Sequence, residues 1–237
     1  MTELSEQARA ALRRLQGGLV VSCQARENNP LHGPVFMAAM AQAAVLGGAV
    51  GIRADGEADI AAIREAVRAD IPIMGIFKVK QADGSLFITP TAESAKRVIK
   101  CGAMLVALDG TPRARPGGES LKDVVEAIHA AGGAAMADAG TLEHARYAIE
   151  SGVDAVGTTL SGYTADSPKQ PGPDFDLLEK LAKESKVPVF AEGRIWTREE
   201  ARKAIDLGAS FVVVGTAITN PQAITARFVA AIRGGAA

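Results

Sequence analysis

Short runs of apolar residues recur along the chain, and four of them share one pattern. Each of the four has a glycine after a helical pattern, then a small residue and an apolar stretch, and they lie at 46–53, 101–109, 151–159 and 207–215. Glycine suits the left-handed backbone that ends many helices, and an unbroken apolar run suits a strand buried on both faces. The pattern returns about every 50 residues, which is room for two strand–helix units.

Four further apolar runs supply the remaining strands, at 18–24, 71–78, 132–138 and 187–193. Helical patterns separate the runs, and the residues at 59–69 and 120–131 show the helical period. Thr197 with Glu200 three residues later matches a capping box, which predicts the start of a helix. Strands that alternate with helices in this way predict a parallel sheet.

Eight strand–helix units in a chain of 237 residues predict a closed (β/α)8 barrel, the TIM-barrel fold. We expect one domain over 1–237, with a leader helix in 1–17 closing the bottom of a barrel formed by 18–233. The alternative is an open doubly wound sheet, which usually carries a GxGxxG loop after its first strand. Here that strand ends in Ser-Cys-Gln-Ala at 22–25, which favours the barrel. The stretch 161–174 is expected to be a long loop on the catalytic face.

The charge balance argues against nucleic acid and anionic membranes as partners. Lys and Arg number 26 and Asp and Glu 27, so the formal net charge is −1 and gives no electrostatic attraction to either. The chain has 7 Phe, 2 Tyr and 1 Trp, which leaves little for base stacking. The apolar run at 35–52 is long enough to suggest a membrane span. Because Gln42 and a Gly-Gly pair interrupt it, we expect a buried helix followed by a buried strand.

Cysteine and histidine usage argues against a zinc site. Cys23 and Cys101 lie far apart and form no CxxC pair, and there are only 3 histidines. Cys23 lies in an apolar strand and is expected to pack there. No signal peptide is evident at the N-terminus, and a reducing cytoplasm is the expected location.

Polar residues stand at the end of nearly every predicted strand, and the active sites of such barrels lie at the carboxyl ends of the strands. The residues at these ends are Gln24, Arg53, Lys78, Asp109, Asp138, Thr158–Thr159, Glu192 and Gly215–Thr216. We therefore expect the chemistry at this rim.

Lys78 and Glu192 end the third and seventh strands, which face each other across a ring of eight. The arrangement suits two-base proton chemistry, in which one group removes a proton and the other returns one to the opposite face. Lys78 acting as a base must be neutral, which desolvation and a neighbouring cation such as Arg53 would favour. The alternative is that Lys78 and Glu192 are partners in a salt bridge on the rim.

Glycines follow the last two strands and predict a phosphate site. Backbone N–H groups of Gly193, Gly215 and Thr216 can approach a phosphate there, near the helix opened by Asn220-Pro221. The alternative is that these are ordinary turn glycines.

Several assignments stay open from the residues alone. Asp138 is either a rim carboxylate that orients Lys78 or a substrate hydroxyl, or a helix cap before Thr141. The basic pair Arg113 and Arg115 either touches a substrate anion or lies in a solvated loop. The apolar face of the last helix, around 220–233, either packs on the chain's own barrel, which we expect, or forms a homodimer contact.

Nine motifs, in order and with matching spacing from about residue 18 to residue 232, resemble the N-acetylmannosamine-6-phosphate 2-epimerase family. They are VSCQA at 21–25, GGAVGIRA at 47–54, GIFK at 75–78, FITPT at 87–91, ALDGTPRARP at 107–116, MADAGT at 136–141, GTTLSGYT at 157–164, AEGRI at 191–195 and VVVGTAIT at 212–219. GTTLSGYT and AEGRI together are specific to this family.

The resemblance implies a barrel that inverts C2 of an N-acetylhexosamine 6-phosphate in amino-sugar and sialic-acid catabolism, without a cofactor. It places acid–base work on Lys78 and Glu192. It places the sugar and its N-acetyl group at Gln24, Arg53, Asp138 and Arg194, and the phosphate at Gly193, Gly215 and Thr216. The chain departs from the usual motifs at Asp55, where Asn is commoner, and in the loops after Lys78, Asp109 and Asp138, so the resemblance leaves specificity at the N-acyl group open.

Three rival functions are consistent with parts of the pattern. A Schiff-base aldolase also uses a barrel lysine and a phosphate site. A metal-dependent ketopentose-phosphate epimerase needs His and Asp ligands at the strand ends, which this chain lacks. A catalytically silent sugar-phosphate sensor would keep the phosphate loop and could lose Lys78 or Glu192, and both are present.

Overall fold

Eight parallel strands close into a barrel in the computed structural model, which describes residues 4–81 and 84–234. A separate antiparallel hairpin follows the third barrel strand. The barrel strands are β1 (Leu19–Cys23), β2 (Gly51–Asp55), β3 (Ile73–Ile76), β6 (Leu105–Asp109), β7 (Ala134–Asp138), β8 (Ala155–Gly157), β9 (Val189–Glu192) and β10 (Phe211–Val214), and the hairpin strands are β4 (Lys78–Lys80) and β5 (Leu86–Ile88). The ring closes where β1 pairs with β10, with Leu19 opposite Val212, so the predicted (β/α)8 barrel is confirmed.

One helix precedes the first barrel strand, and the others follow barrel strands and cover the outside of the ring. They are α1 (Glu6–Leu15), α2 (Pro34–Leu46), α3 (Glu57–Ala66), α4 (Ala92–Lys100), α5 (Leu121–Ala130), α6 (Leu142–Glu150), α7 (Phe175–Glu184), α8 (Arg198–Asp206), α9 (Thr216–Thr219) and α10 (Pro221–Ile232). Thr197 and Glu200 form the expected capping box at the start of α8. In the described part of the chain, every helix is too short or too polar to cross a bilayer.

The leader helix closes the bottom of the barrel. Ala8, Ala11 and Leu15 of α1 are buried in one cluster with side chains that point into the barrel. Phe190 and Phe211 stack there with ring centroids 5.2 Å apart. The barrel interior is therefore a packed core that supports the rim above it. Residues 1–3 of the predicted leader segment lie outside the described residues.

The third strand ends earlier than predicted. The sequence predicted a strand over 71–78, whereas β3 ends at Ile76 and Lys78 begins β4, opposite Ile88. The reason is that Phe77 pairs with Thr89, at the far end of the hairpin, instead of with a barrel strand. The Thr89 N–H donates to the Phe77 carbonyl, and the Thr89 hydroxyl accepts from the Phe77 N–H. Lys78 therefore pairs with no barrel strand and is the first residue of the hairpin on the rim.

Two predictions of burial are wrong. The helix in the apolar run at 35–52 is α2, and it buries only Met37 and Ala41, while Val35 is 78% and Leu46 89% exposed. The last helix, α10, buries none of its side chains, and its Phe228 is 67% exposed. For α2 the reason is that a helix apolar on nearly all sides cannot bury every side against one barrel, so part of its surface stays exposed.

Candidate active site

The carboxyl ends of the barrel strands bring most of the predicted residues to one mouth. Arg53 lies in the middle of β2, Asp138 ends β7 and Glu192 ends β9. Gln24 directly follows β1, and Lys78 follows β3 by two residues. In the ring, β3 and β9 are four strands apart, so Lys78 and Glu192 approach the mouth from opposite sides as predicted.

A buried arginine joins two of the carboxylates. The Arg53 side chain is 1% exposed and donates to both oxygens of Asp138, at 3.0 and 2.6 Å. The same guanidinium donates to Oε2 of Glu192 at 2.6 Å. Arg53 was predicted at the end of its strand, but it lies two residues before the end of β2 and therefore below the rim. From there its charge fixes both carboxylates.

The environment of Glu192 suits a group that exchanges protons near neutral pH. Burial raises the pKa of Glu192 to about 7, and the negative charge of Asp138 adds to the rise, against the opposing effect of Arg53. Its side chain is 14% exposed, so a substrate in the mouth can reach it. Burial lowers the pKa of the Arg53 guanidinium, but Asp138 and Glu192 together raise it further, so Arg53 stays charged.

Lys78 is held on the opposite side by different partners. Its ammonium donates to Oε1 of Gln24 and lies 3.5 Å from Oδ2 of Asp55, and its side chain is 31% exposed. The interpretation of Lys78 and Glu192 as partners in one salt bridge is wrong, since Lys78 pairs with Asp55 and Glu192 with Arg53. The expectation that Arg53 acts as a charged neighbour of Lys78 stays a prediction.

Two residues named in the sequence were given no role in the site there. Thr159 donates from its hydroxyl to Oδ1 of Asp138 at 2.6 Å and lies 3.4 Å from Oε2 of Glu192. Asp55 accepts the backbone N–H of Lys78 at 3.1 Å. The spacing held a signal for Asp55, because residues two apart on a strand face the same side and Asp55 follows Arg53 by two. No pattern pointed to Thr159 beyond its place after a strand.

Asp138 neither orients Lys78 nor caps a helix, and a contact with a substrate hydroxyl stays a prediction. Asp138 is fully buried and binds Arg53 and Thr159, neither Lys78 nor a helix end. The cap of α6 is Thr141 itself, whose side chain accepts from the His144 N–H.

The basic pair after β6 does not lie in a solvated loop, and its contact with a substrate anion stays a prediction. Arg115 is buried and donates to the carbonyls of Pro90 and Asp109. Arg113 lies over the Phe87 ring, 3.6 Å from its centroid, and donates to the Asp109 carboxylate. The two arginines therefore fasten the hairpin of β4 and β5 to the rim.

The predicted phosphate residues lie beside Glu192. Gly193 follows β9, and Gly215 precedes α9 after the neighbouring strand β10, whose Val213 is opposite Glu192. Gly193 has a φ of +112°, a backbone region that glycine adopts without strain. A Cβ on Gly215 would lie 3.2 Å from that of Ser22, so the first and last strands approach closely here. Whether a phosphate binds at Gly193, Gly215 and Thr216 stays a prediction.

Arg194 lies at the same rim but contacts the long loop. Its Nε donates to the Gly172 carbonyl at 2.7 Å, and its Nη1 donates to the Ser161 carbonyl at 2.6 Å. Arg194 also has a φ of +57°, which non-glycine residues seldom adopt. The side chain therefore positions residues 161–174 over the rim.

The remaining candidates for metal or thiol chemistry lie apart from this site. Among residues 4–81 and 84–234, no three His, Cys, Asp or Glu side chains are arranged to hold a metal ion. Burial raises the pKa of the Cys23 thiol to about 12, which agrees with a packing role.

Comparison with known proteins identifies relatives over most of the chain. A family model described as "Putative N-acetylmannosamine-6-phosphate epimerase" matches residues 37–234. A "Putative N-acetylmannosamine-6-phosphate 2-epimerase" from Caldanaerobacter subterraneus subsp. tengcongensis is 49% identical over 226 residues, covering 94% of both chains. A protein of the same description from Clostridium perfringens is 50% identical over 214 residues, covering 90% of this chain and 96% of its own.

Solved structures agree with these relatives. The structure of the N-acetylmannosamine-6-phosphate 2-epimerase from Clostridium perfringens superposes with a TM-score of 0.88 at 50% identity, covering 92% of this chain and 94% of that one. Thiamine phosphate pyrophosphorylase from Pyrococcus furiosus superposes with a TM-score of 0.61 at 20% identity, covering 89% and 90%. The second likeness concerns the barrel fold alone.

Proposed function

This chain belongs to the family of N-acetylmannosamine-6-phosphate epimerases, and we propose that it interconverts N-acetylmannosamine 6-phosphate and N-acetylglucosamine 6-phosphate. The observation that carries the proposal is the placement of an amine, Lys78, and a carboxylate, Glu192, on opposite sides of one barrel mouth. Such a pair suits inversion at a carbon, because one group can remove the proton from one face and the other can return one to the opposite face.

The reaction follows from the acidity of the C2 proton. Opening of the sugar ring exposes an aldehyde at C1, and the anion formed at C2 then delocalises onto the C1 oxygen. One of Lys78 and Glu192 removes the proton, and the other delivers one to the opposite face. These steps need no cofactor, because the carbonyl of the substrate accepts the electron pair.

Arg53 and Asp138 support Glu192 in this scheme. The guanidinium fixes Oε2 of Glu192 at 2.6 Å, and the two bonds to Asp138 hold the guanidinium itself. A preorganised cation near the mouth also stabilises negative charge that develops on the enolate. We propose Gln24 as a contact for the sugar, since its amide already binds the ammonium of Lys78.

We propose the phosphate site at Gly193, Gly215 and Thr216, on the two strand ends next to Glu192. A grip on the phosphate anchors the substrate while C2 becomes planar, so that binding energy far from C2 assists the reaction there. Arg194 contributes by holding the loop over 161–174, and we propose that it reaches the sugar through this loop.

A proton NMR assay in D₂O with N-acetylmannosamine 6-phosphate tests the reaction. We expect wild type to form N-acetylglucosamine 6-phosphate carrying deuterium at C2. Lys78→Ala and Glu192→Gln should each lose more than about 100-fold in rate, because each removes one of the two proton-transfer groups.

Matched controls separate chemistry from surface charge. Lys80→Ala changes an exposed lysine on the same hairpin strand, and Glu199→Gln an exposed glutamate of α8, so both should keep wild-type rates. A C2 proton signal that stays unchanged with wild type would contradict the proposal. A secondary amine trapped by borohydride at Lys78 would favour the Schiff-base aldolase instead.

We further propose a homodimer formed by an apolar surface, defined here as the exposed apolar side chains of α2, α9 and α10. Among the described residues, seven of the nine large exposed apolar side chains lie on it, namely Val35, Phe36, Leu46, Ile218, Phe228, Val229 and Ile232. The helix α9 contacts α10, and α2 and α9 both contact β1. Exposed apolar surface of this kind is typical of an interface, and α2 carries no charged residue that would oppose a second copy. We propose the cytoplasm as the location, where the free Cys23 and Cys101 stay reduced.

A further inference from the structure

The hairpin of β4 and β5 turns an apolar side chain toward the mouth. Residues directly opposite each other in an antiparallel pair share a face, and Ile88 lies opposite Lys78. The Lys78 ammonium reaches Gln24, which follows β1, so this face of the hairpin is the inner one. Phe87 alternates to the outer face, where Arg113 lies over its ring. Ile88 therefore belongs to the side of the mouth formed by the hairpin.

A second apolar side chain reaches the mouth beyond Asp138. Leu160 follows Thr159, whose hydroxyl donates to Asp138, and the Leu160 N–H donates to the Ala139 carbonyl at 3.0 Å. Ile88, 7% exposed, belongs to the apolar cluster inside the barrel, and Leu160 packs against that cluster and is partly buried. Neither residue is part of a barrel strand, and both come from segments at the rim. We call Ile88 and Leu160 the apolar wall, because they cover the top of this cluster.

The apolar wall and the proposed phosphate site lie on different sides of the ring. In the closed barrel β10 is four strands away from β6. Gly215 and Thr216 follow β10, whereas β5, which carries Ile88, contacts β6. A substrate whose phosphate binds after β10 therefore extends across the mouth toward the apolar wall.

The substrate of the proposed reaction carries its acyl group far from its phosphate. The opened sugar is a chain with the phosphate on C6 and the acylamino group on C2, the carbon that would lie between Lys78 and Glu192. With C6 held after β9 and β10, the acyl chain on C2 points away from the phosphate, toward Ile88 and Leu160. Apolar side chains favour the methyl end of a short acyl chain and offer no partner to a hydroxyl group.

We propose that Ile88 and Leu160 are specificity-determining residues that limit the length of the N-acyl group on C2. This inference rests on the proposed function. Ile88 is packed into the barrel cluster, so a longer acyl chain has to displace side chains that are already in contact. A difference of one methylene in an apolar site changes kcat/KM by about 10–200-fold. The wall should therefore accept an N-acetyl group and disfavour an N-propanoyl group.

The test measures kcat/KM with N-acetylmannosamine 6-phosphate and N-propanoylmannosamine 6-phosphate, using the NMR assay in D₂O. Wild type should prefer the N-acetyl substrate by at least about tenfold. Ile88→Ala and Leu160→Ala each leave space for the added methylene, so their preference should fall to within about threefold of equality. The ratio of two substrates on one preparation does not depend on how much of it is folded, so a merely destabilised variant keeps the wild-type ratio.

Val79→Ala is the matched control for truncation of the hairpin. Val79 lies opposite Phe87, on the outer face, so the change removes apolar atoms from the same hairpin and leaves the wall intact. Its preference for the N-acetyl substrate should equal that of wild type.

Ile88→Thr and Ile88→Val test the chemistry of the wall separately from its size. Threonine and valine have nearly the same shape, and threonine has a hydroxyl where valine has a methyl. Relative to the N-acetyl substrate, the N-glycolyl substrate should therefore be used about tenfold better by Ile88→Thr than by Ile88→Val, because its hydroxyl gains a hydrogen-bond partner. Equal ratios in the two variants would overturn the contact between Ile88 and the acyl chain.

The outcomes distinguish this inference from the proposed function. A wild type that uses N-acetyl and N-propanoyl substrates equally well would overturn the inference while leaving the epimerase intact. Wild-type preference in both Ile88→Ala and Leu160→Ala would do the same, as would an equal loss of preference in Val79→Ala. If wild type epimerises none of these substrates, the proposed function fails, and this inference fails with it.

Discussion

Arg53 is the side chain on which the geometry of the mouth depends. It is fully buried, and its guanidinium contacts carboxylates from β7 and β9, so it ties three strands together. Buried ion pairs often add little net stability, because desolvation offsets the attraction. Removing one partner is nevertheless costly, about 3–5 kcal/mol, since the other charge is left buried alone. The cluster therefore fixes the position of Glu192 more than it stabilises the fold.

The raised pKa of Glu192 predicts a pH-dependent stability. Its folded pKa is about 7 and its ordinary value 4.5, so its ionisation opposes folding. The favourable contribution is complete below pH 4.5 and is lost as pH rises to about 7. At about 1.4 kcal/mol per unit, the loss is about 3 kcal/mol.

Urea unfolding of wild type and Glu192→Gln from pH 4 to pH 8 measures this effect. The free energy of unfolding of wild type should fall relative to that of the variant by about 3 kcal/mol over the range. Taking the difference removes the contribution of titrating groups that lie far from Glu192, which both proteins share. Parallel curves for the two proteins would contradict the raised pKa.

At the scale of elements, the hairpin and the long loop form the parts of the rim that lie beyond the ends of the short barrel strands. The hairpin of β4 and β5 carries Lys78, and Arg113 packs over its Phe87. The loop over 161–174 is fixed by Arg194, by a bond from Ser161 Oγ to Asp174 at 2.6 Å, and by contacts of Ser167 Oγ with Gly162 and Thr164. Irregular segments thus gain defined positions from side-chain bonds.

Gly162 and Gly172 provide a matched pair for testing this loop. Gly162 has a φ of +80°, and a Cβ there would lie 2.7 Å from Nη1 of Arg194. Gly172 has no positive φ and open space around its Cβ position. Gly162→Ala should therefore destabilise the protein by about 1–2 kcal/mol, while Gly172→Ala should leave stability within about 0.5 kcal/mol.

Thermal unfolding measures the stability of both variants, and amide hydrogen exchange follows the loop itself. Exchange over 161–174 should accelerate in Gly162→Ala, because the bond from Arg194 to Ser161 is disturbed. Equal stability and equal exchange in the two variants would show that Arg194 does not hold the loop.

At the scale of the whole molecule, the exposed apolar surface on α2, α9 and α10 sets the expected assembly. Phe228→Glu places a charge on this surface and should convert a dimer to a monomer, because an unpaired charge is costly in an interface. Leu86→Glu is the control, since Leu86 is also large, apolar and exposed but lies on the hairpin. Light scattering after size exclusion measures both masses. A monomeric wild type, or a Phe228→Glu variant that stays dimeric, would contradict the proposed interface.

The amino-acid sequence by itself determined the barrel. Glycine followed by an apolar run, repeated along the chain, specifies a helix end and a buried strand, and both are local properties of the backbone. The positions of Asp109, Asp138 and Glu192 as the last residues of their strands were predicted for the same reason. The treatment of 1–237 as one domain stays a prediction.

Tertiary structure decided which of these residues meet. Arg53 and Asp138 are 85 positions apart, and Lys78 and Gln24 are 54 apart, so local pattern carries no information about either contact. The position at which β3 ends depended on Thr89, which belongs to another segment. The exposure of Val35 and Phe228 depended on how much of each helix one barrel can cover. Local backbone preference specifies elements, whereas partners depend on how a closed ring brings distant strands together.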